Sequence, residues 1–266
     1  MRAACGAQKI DVCIIGSGGM ATFLAVVLAD SGLSIRCMHP ARECGLSEMR
    51  LHGRGCSRSA IVAHQTPEMC AASVRPDLVI VACKWRDVPE ALSLCQRLWR
   101  ANLPPVLMPQ NGIIQDEVEL PAESAVFPLV AYVSVESLRP GVVWVNDVGS
   151  LLTSLRLLDR LVPGSERLLG DGVFRFLPKE ELAAEQFAKL ILASTGAVMA
   201  LRDVTVGEAL LSEVRCDMAA VVRESGAVVD ARLGKRREAP LVLKQANAEG
   251  RNLRFHRQIF IRNSPT

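Results

Sequence analysis

Ile15-Gly16-Ser17-Gly18-Gly19-Met20-Ala21 decides how the rest of the chain is read. It fits G-x-G-x-x-A. Gly16 permits a tight turn, Gly18 lets the backbone approach a pyrophosphate, and the small Ala21 lets a helix pack close to a strand. The helix that opens there offers free N–H groups and the positive end of its dipole to an anion. The pattern alone is weak, and its context strengthens it. Lys9–Ile15 (KIDVCII) is a short β-branched run that reads as a buried strand. Met20–Asp30 reads as an apolar helix with Gly32 at its C-terminal stop, and Ser34–Met38 reads as a second strand. Together they make a βαβ unit of about 30 residues. Gly16, Ser17, Gly18, Gly19, Met20 and Ala21 are therefore the expected pyrophosphate cradle of a nicotinamide dinucleotide. The alternative is a plain structural turn.

Outward from this turn the alternation continues. Residues 40–70, with Gly45, Gly53 and Gly55, read as irregular. Leu78–Cys83 (LVIVAC) reads as a strand, Val88–Arg100 as a helix with Pro89 in its first turn, and Val106–Met108 as the next strand. Strands alternating with helices predict a Rossmann-type, doubly wound parallel sheet with right-handed crossovers. Ala125–Val135 and Val142–Val145, joined through Arg139-Pro140-Gly141, read as a hairpin. Two helices are expected after that, Glu180–Leu201 and Glu208–Ser225, the second ending near Gly226. The division that follows is a dinucleotide-binding domain over 1–178, a shortened helical substrate domain over 179–230, and a basic tail over 231–266.

Composition narrows the class. Half of the 266 residues are hydrophobic and only eleven are aromatic, which suits an α/β core of Ala, Val, Leu and Ile. The nine cysteines are scattered, with no C-x-x-C pair, and the four histidines show no ligand spacing. Reduced thiols in a cytoplasmic protein are expected, with no metal site. The N-terminus lacks a signal-peptide pattern and no apolar run is long enough for a membrane span, so no membrane partner is expected. Residues 231–266 hold nine Lys/Arg against Glu238 and Glu249, a net +7; the remainder carries 22 bases and 26 acids, a net −4. A basic tail can meet nucleic acid. A solvated tail is the reading preferred here, so no nucleic-acid partner is expected.

Polar residues at strand ends supply the candidate chemistry. The second strand is followed by Met38-His39-Pro40-Ala41-Arg42-Glu43, with no acid where a ribose 2′-hydroxyl is usually held. Arg42, with His39 as second candidate, instead suits the 2′-phosphate of NADP; the alternative is a surface pair with Glu43. Lys84 follows LVIVAC and Asn111 follows VLMPQ, so both sit at carboxyl ends of strands, where ligands bind in such sheets. Lys84 is read as a cofactor contact. Asn111 is read as a contact to the nicotinamide-side ribose or to the substrate.

Taken in order, these motifs resemble the ketopantoate reductase (2-dehydropantoate 2-reductase) family over about residues 9–230. They are the Gly16–Ala21 turn, Val81-Ala82-Cys83-Lys84, Gln110-Asn111-Gly112, Pro140-Gly141-Val142-Val143 with Gly149, Phe187-Ala188-Lys189-Leu190, and Val206-Gly207-Glu208. The resemblance implies NADPH-dependent reduction of ketopantoate to pantoate in pantothenate biosynthesis, with Lys189 as proton donor to the carbonyl oxygen. Physically, Lys189 opens the apolar stretch LILASTGAVMAL, and a desolvated lysine is a better acid near neutrality. Ala193 and Ala197 stand where the family has substrate-binding asparagines, and Ser194 is the candidate partial replacement. The family's late serine and glutamate have no counterpart after Asp230. A short helical layer leaves apolar faces for a partner chain, so a homodimer is expected.

Overall fold

The computed structural model of the chain describes residues 10–39, 44–53, 56–113, 125–154 and 174–233. The fold is α/β and Rossmann-type. Among the described residues, ten strands form one sheet in the order β10-β9-β3-β4-β2-β1-β5-β6-β7, with β8 on β9 and β10 spanning Phe174–Phe176. Its centre is parallel. β1 (Asp11–Ile15) lies between β2 (Ser34–Met38) and β5 (Leu78–Val81), and β6 (Val106–Met108) and β7 (Val126–Pro128) follow on the β5 side.

Strands buried on both faces must be apolar on both faces. Val12, Ile14, Leu78, Ile80 and Leu107 enter one core, shared with α1 (Gly19–Asp30). Cys13, Ile15, Val79, Val81, Val106 and Met108 enter the other, with Cys70 of α2 (Pro67–Ala72) and with Val88, Leu92 and Cys95 of α3 (Val88–Trp99). Period-2 alternation therefore assigns each strand residue to a helix layer. α1 is buried continuously from Ala21 to Leu28, which explains why it is apolar all round. It ends as expected, with Gly32 at φ +83° and Leu33 N–H returning to the Leu28 carbonyl.

The expectation of irregular chain over 40–70 is corrected. β3 (Gly45–Gly53) and β4 (Cys56–Gln65) form an antiparallel hairpin; β4 runs parallel to β2, and β3 runs parallel to β9 (Val142–Thr153). Met49, Leu51 and Val62 are buried while Leu46 and Ile61 are exposed. Gly45 and Gly53 stand at the two ends of β3. The expected later hairpin forms between β8 (Val130–Arg139) and β9.

The chain groups into two compact units. One holds the sheet and α1–α3, and takes in Gln110. The other holds Asn111–Ile113 and the helices from Lys179 onward. There α4 (Lys179–Arg202) packs on α6 (Val214–Leu233), with the short α5 (Val206–Leu211) against α6. The single helix expected over Glu208–Ser225 is thus two. The break falls at Ser212-Glu213, and α6 runs straight through Gly226, where a methyl group would meet nothing.

Candidate active site

The site begins where the strand order reverses, between β1 and β5. Gly16 leaves β1 with φ +134°, a conformation that favours glycine. A methyl group there would also lie 2.6 Å from the Ala82 carbonyl oxygen, so the turn tolerates no side chain. Gly18 caps α1 without any side-chain hydrogen bond, and no acid stands in the first turn. The first intrahelical bond runs from Thr22 N–H to the Gly18 carbonyl at 3.0 Å, so the N–H groups of Gly19, Met20 and Ala21 have no acceptor within the helix. Gly18 is exposed, and a methyl group on it would meet nothing within 4 Å. Gly19 faces inward, where a methyl would come within 3.3 Å of Val135 Cγ2. Ala21 is fully buried against the sheet. The turn is thus tight at Gly16, open at Gly18 and closely packed at Gly19 and Ala21. An open, uncapped helix N-terminus with room beside it fits a phosphate-bearing dinucleotide.

Lys84 is exposed at the carboxyl end of β5 and caps a 3-10 turn over Trp85–Asp87. At the adjacent end of β6, Gln110 reaches across to β5: its side-chain Nε2 donates to the Val81 carbonyl at 2.6 Å and to the Cys83 carbonyl at 3.0 Å. Sequence reading took Gln110 only as part of a motif. Its position after a strand that neighbours β5 was the available signal.

Asn111, Lys189 and Ser194 belong to the helical unit, as the glycine turn and Lys84 belong to the sheet unit. Asn111 is exposed and is followed by Gly112 at φ +113°. Lys189 sits mid-way along α4, after the buried Gln186, Phe187 and Ala188, and burial lowers its pKa from the ordinary lysine value. The hydroxyl of Ser194 donates to the Ile191 carbonyl of its own helix at 2.6 Å, as helix serines commonly do. What remains to it is acceptor capacity, which suits a substrate hydroxyl better than a carboxylate. Glu208 proves structural: its carboxylate accepts the Thr205 N–H at 2.8 Å while the Thr205 hydroxyl accepts the Glu208 N–H, a capping box that T-x-x-E spells in the sequence.

Arg42 lies outside the described residues; His39 is half-buried at the end of β2, its N–H on the Gln65 carbonyl. Cys13, Cys37, Cys44, Cys70, Cys83, Cys95 and Cys216 form no disulfide. Burial raises Cys83 to about 11 and Cys95 to about 12, so these two act as small apolar side chains. Among the described residues no group of His, Cys, Asp or Glu is placed to hold a metal ion, and no helix is long and apolar enough to cross a membrane.

The sequence profile of the ketopantoate reductase PanE/ApbA family matches residues 12–154, more than half of the chain. The chain belongs to the ketopantoate reductase family. That match runs from β1 to the end of β9, so it takes in the glycine turn, Lys84 and Asn111. The ketopantoate reductase fold recurs in solved structures. A putative ketopantoate reductase from Ralstonia solanacearum MolK2 aligns with a TM-score of 0.71 at 20% identity, covering 94% of this chain and 83% of its own. A PanE/ApbA family ketopantoate reductase from Ralstonia eutropha JMP134 aligns at 0.70 and 21%, covering 97% and 83%. D-mandelate dehydrogenase, solved with NADH and anilino(oxo)acetate, aligns at 0.68 and 18%, covering 86% and 76%. No curated protein sequence matches the chain. Membership of the ketopantoate reductase family places it among oxidoreductases.

Proposed function

We propose that the chain is an NADPH-dependent 2-dehydropantoate 2-reductase, reducing ketopantoate to pantoate. The observation that supports this reading is the burial of Lys189, which makes its ammonium more acidic; the resemblance of the segment Phe187–Leu190 implies the proton-donor role for it. Gly16, Ser17, Gly18, Gly19, Met20 and Ala21 would hold the pyrophosphate, Arg42 the 2′-phosphate, and Lys84 a further part of the cofactor. Asn111 and Ser194 would orient the 2-keto acid. NADPH, when bound, supplies the hydride for the keto carbon. Lys189 gives its Nζ proton to the carbonyl oxygen, so that the product is the 2-hydroxy acid and the neutral amine regains a proton from solvent.

Lys189 must carry its proton to act. Activity is therefore present below its pKa and falls as pH rises through it. Because burial lowers that pKa, the basic limb of the kcat/KM profile lies below the ordinary lysine range. The direct test is NADPH oxidation with ketopantoate and a panel of 2-keto acids. Lys189→Ala is expected to lower kcat/KM by about 10²–10⁴-fold while leaving NADPH affinity nearly unchanged. Binding of the cofactor without turnover on any acid would replace the enzyme with a catalytically impaired NADP-binding protein.

Ala193 and Ala197 favour a second substrate reading, a 2-keto acid other than ketopantoate, because small apolar residues stand where the family has asparagines. The panel separates the two by relative kcat/KM. For the cofactor, Arg42→Ala is expected to weaken NADPH by about tenfold or more and NADH hardly at all, since only the former offers a 2′-phosphate to a guanidinium. Equal losses would remove Arg42 from the site.

A further inference from the structure

Gln110 makes a bond pattern that packing does not require. Its Nε2 donates to two carbonyls, Val81 at 2.6 Å and Cys83 at 3.0 Å, which flank Ala82. Ala82 in turn gives its N–H to the Ile15 carbonyl at 2.8 Å, and its own carbonyl oxygen is the atom against which Gly16 closes. Both partners of the Gln110 amide are acceptors, so its nitrogen must face them and its oxygen must point away. That oxygen is buried and has no hydrogen-bond partner among the described residues. A leucine or methionine would fill similar space without an unmet amide oxygen, but would leave the Val81 and Cys83 carbonyls without this donor. The glutamine therefore contributes something other than packing: it fixes the place of the stretch from Val81 to Cys83, immediately before Lys84.

We propose that Gln110 is a positioning residue for the dinucleotide, tying the end of β6 to the end of β5 so that the Gly16 turn closes on Ala82 and Lys84 leaves the strand at a fixed point. The proposal rests on the reading of Gly16–Ala21 as an NADPH cradle. Gln110 touches neither cofactor nor substrate in it; it acts through the backbone of β5. The same two bonds hold the sheet side of the step to Asn111, where the chain enters the helical unit.

The test uses the full chain, with NADPH affinity from nucleotide fluorescence and Tm measured in parallel. Gln110→Met keeps the bulk and removes both donors. NADPH Kd of the folded protein is expected to rise about tenfold, beyond the modest fall in Tm that follows from leaving two carbonyls without a donor. Gln110→Glu sets a carboxylate against two carbonyls. Its Kd, taken relative to the wild-type chain at each pH, is expected to be raised at neutral pH and to return towards the wild-type value on acidification, because the protonated carboxyl regains one donor. A purely structural residue would lower Tm and leave the affinity of the folded protein alone. Wild-type Kd in Gln110→Met overturns the proposal. If that variant does not fold, a pH-independent ratio in Gln110→Glu overturns it instead. If the wild-type chain binds neither NADPH nor NADH, the cradle reading falls and takes this proposal with it; binding by the wild type with no effect in the variants sinks the proposal alone.

Discussion

At the amino end of the sheet, Arg36 of β2 is almost fully buried and clamped: it pairs with Asp11 at 2.6 Å and donates to the Ser73 hydroxyl and the Val74 carbonyl. Beside it the Asp11 N–H meets the Asp77 carboxylate at 2.9 Å, and Asp77 N–H returns to the Asp11 carbonyl at 2.9 Å. At the carboxyl end of the same strands, the first N–H groups of α1 have no acceptor in their helix, Gly18 and Lys84 are exposed, and the Gln110 oxygen is unmet. One end is closed on itself, though the buried Arg36 Nε is left unmet there; the other opens onto solvent at Gly18 and Lys84. Polar groups closed on one another stabilise a fold, whereas polar groups beside open space are available to a ligand. Both ends carry charge and a buried unmet atom, so neither of these tells a site from a clamp; access to solvent does.

The largest expected effect lies at the closed end. Arg36→Met leaves Asp11 without its counter-charge and two acceptors without a donor, and is expected to destabilise the fold by about 3–5 kcal/mol in a denaturant titration. Burial, more than the neighbouring Asp77, raises the Asp11 pKa, and Arg36 opposes that rise. Adding Asp11→Asn should therefore recover much of the loss, because the unpaired buried charge is gone. The folded protein should bind NADPH as before. A weakened cofactor with an intact fold would mean that the two ends are not separate in function.

The second effect lies at the open end, where the chain turns out of β1 at Gly16. Gly16→Ala demands a positive φ of a residue with a side chain and drives a methyl to 2.6 Å from the Ala82 carbonyl. The expected cost is about 2–4 kcal/mol of stability, together with loss of NADPH binding even where the chain still folds. Wild-type stability in this variant would show that the turn relaxes freely, and with it would go the tight half of the proposed cradle.

How much of this was legible follows from the same contrast. β1, β5 and β6 were readable because both faces are buried, so Val12–Ile15, Leu78–Val81 and Val106–Met108 are apolar without interruption, whereas β2, broken by Ser34 and Arg36, was readable from its place after Gly32. The β3–β4 hairpin was missed because its outer face carries Glu48, Arg50 and Ser59 among exposed Leu46 and Ile61, because Ser47 and Arg58 interrupt the face that holds Met49, Leu51 and Val62, and because its partners, β2 and β9, come from other parts of the chain. The inward alternation of Met49 and Leu51 was present but masked by Gly45 and Gly53. Gly16, Gly18 and Lys84 were readable as strand-end positions, and Lys189 became a candidate through the resemblance of Phe187-Ala188-Lys189-Leu190, with which its apolar surroundings agree. Arg36 as a clamp and Gln110 as a bridge were not, since each acts on groups brought near only by sheet pairing. Gly226 misled in the opposite sense: a helix supported along its length by α4 absorbs one glycine.

The smallest effect is the most discriminating. Gly18→Ala asks nothing of the backbone, because φ is −79°, and its methyl enters open space. Alanine is a poorer helix cap than glycine, but it also restricts the unfolded chain; these opposed terms, each about 1 kcal/mol or less, leave Tm within a few degrees. If the space beside Gly18 serves only as a turn, NADPH Kd will not change either. If it is where the pyrophosphate meets the backbone, Kd should rise by about tenfold in a protein whose stability has not moved. Gly16→Ala cannot make that distinction, since it damages fold and site together. Gly18→Ala separates them, because its methyl meets nothing within 4 Å and leaves the backbone unstrained.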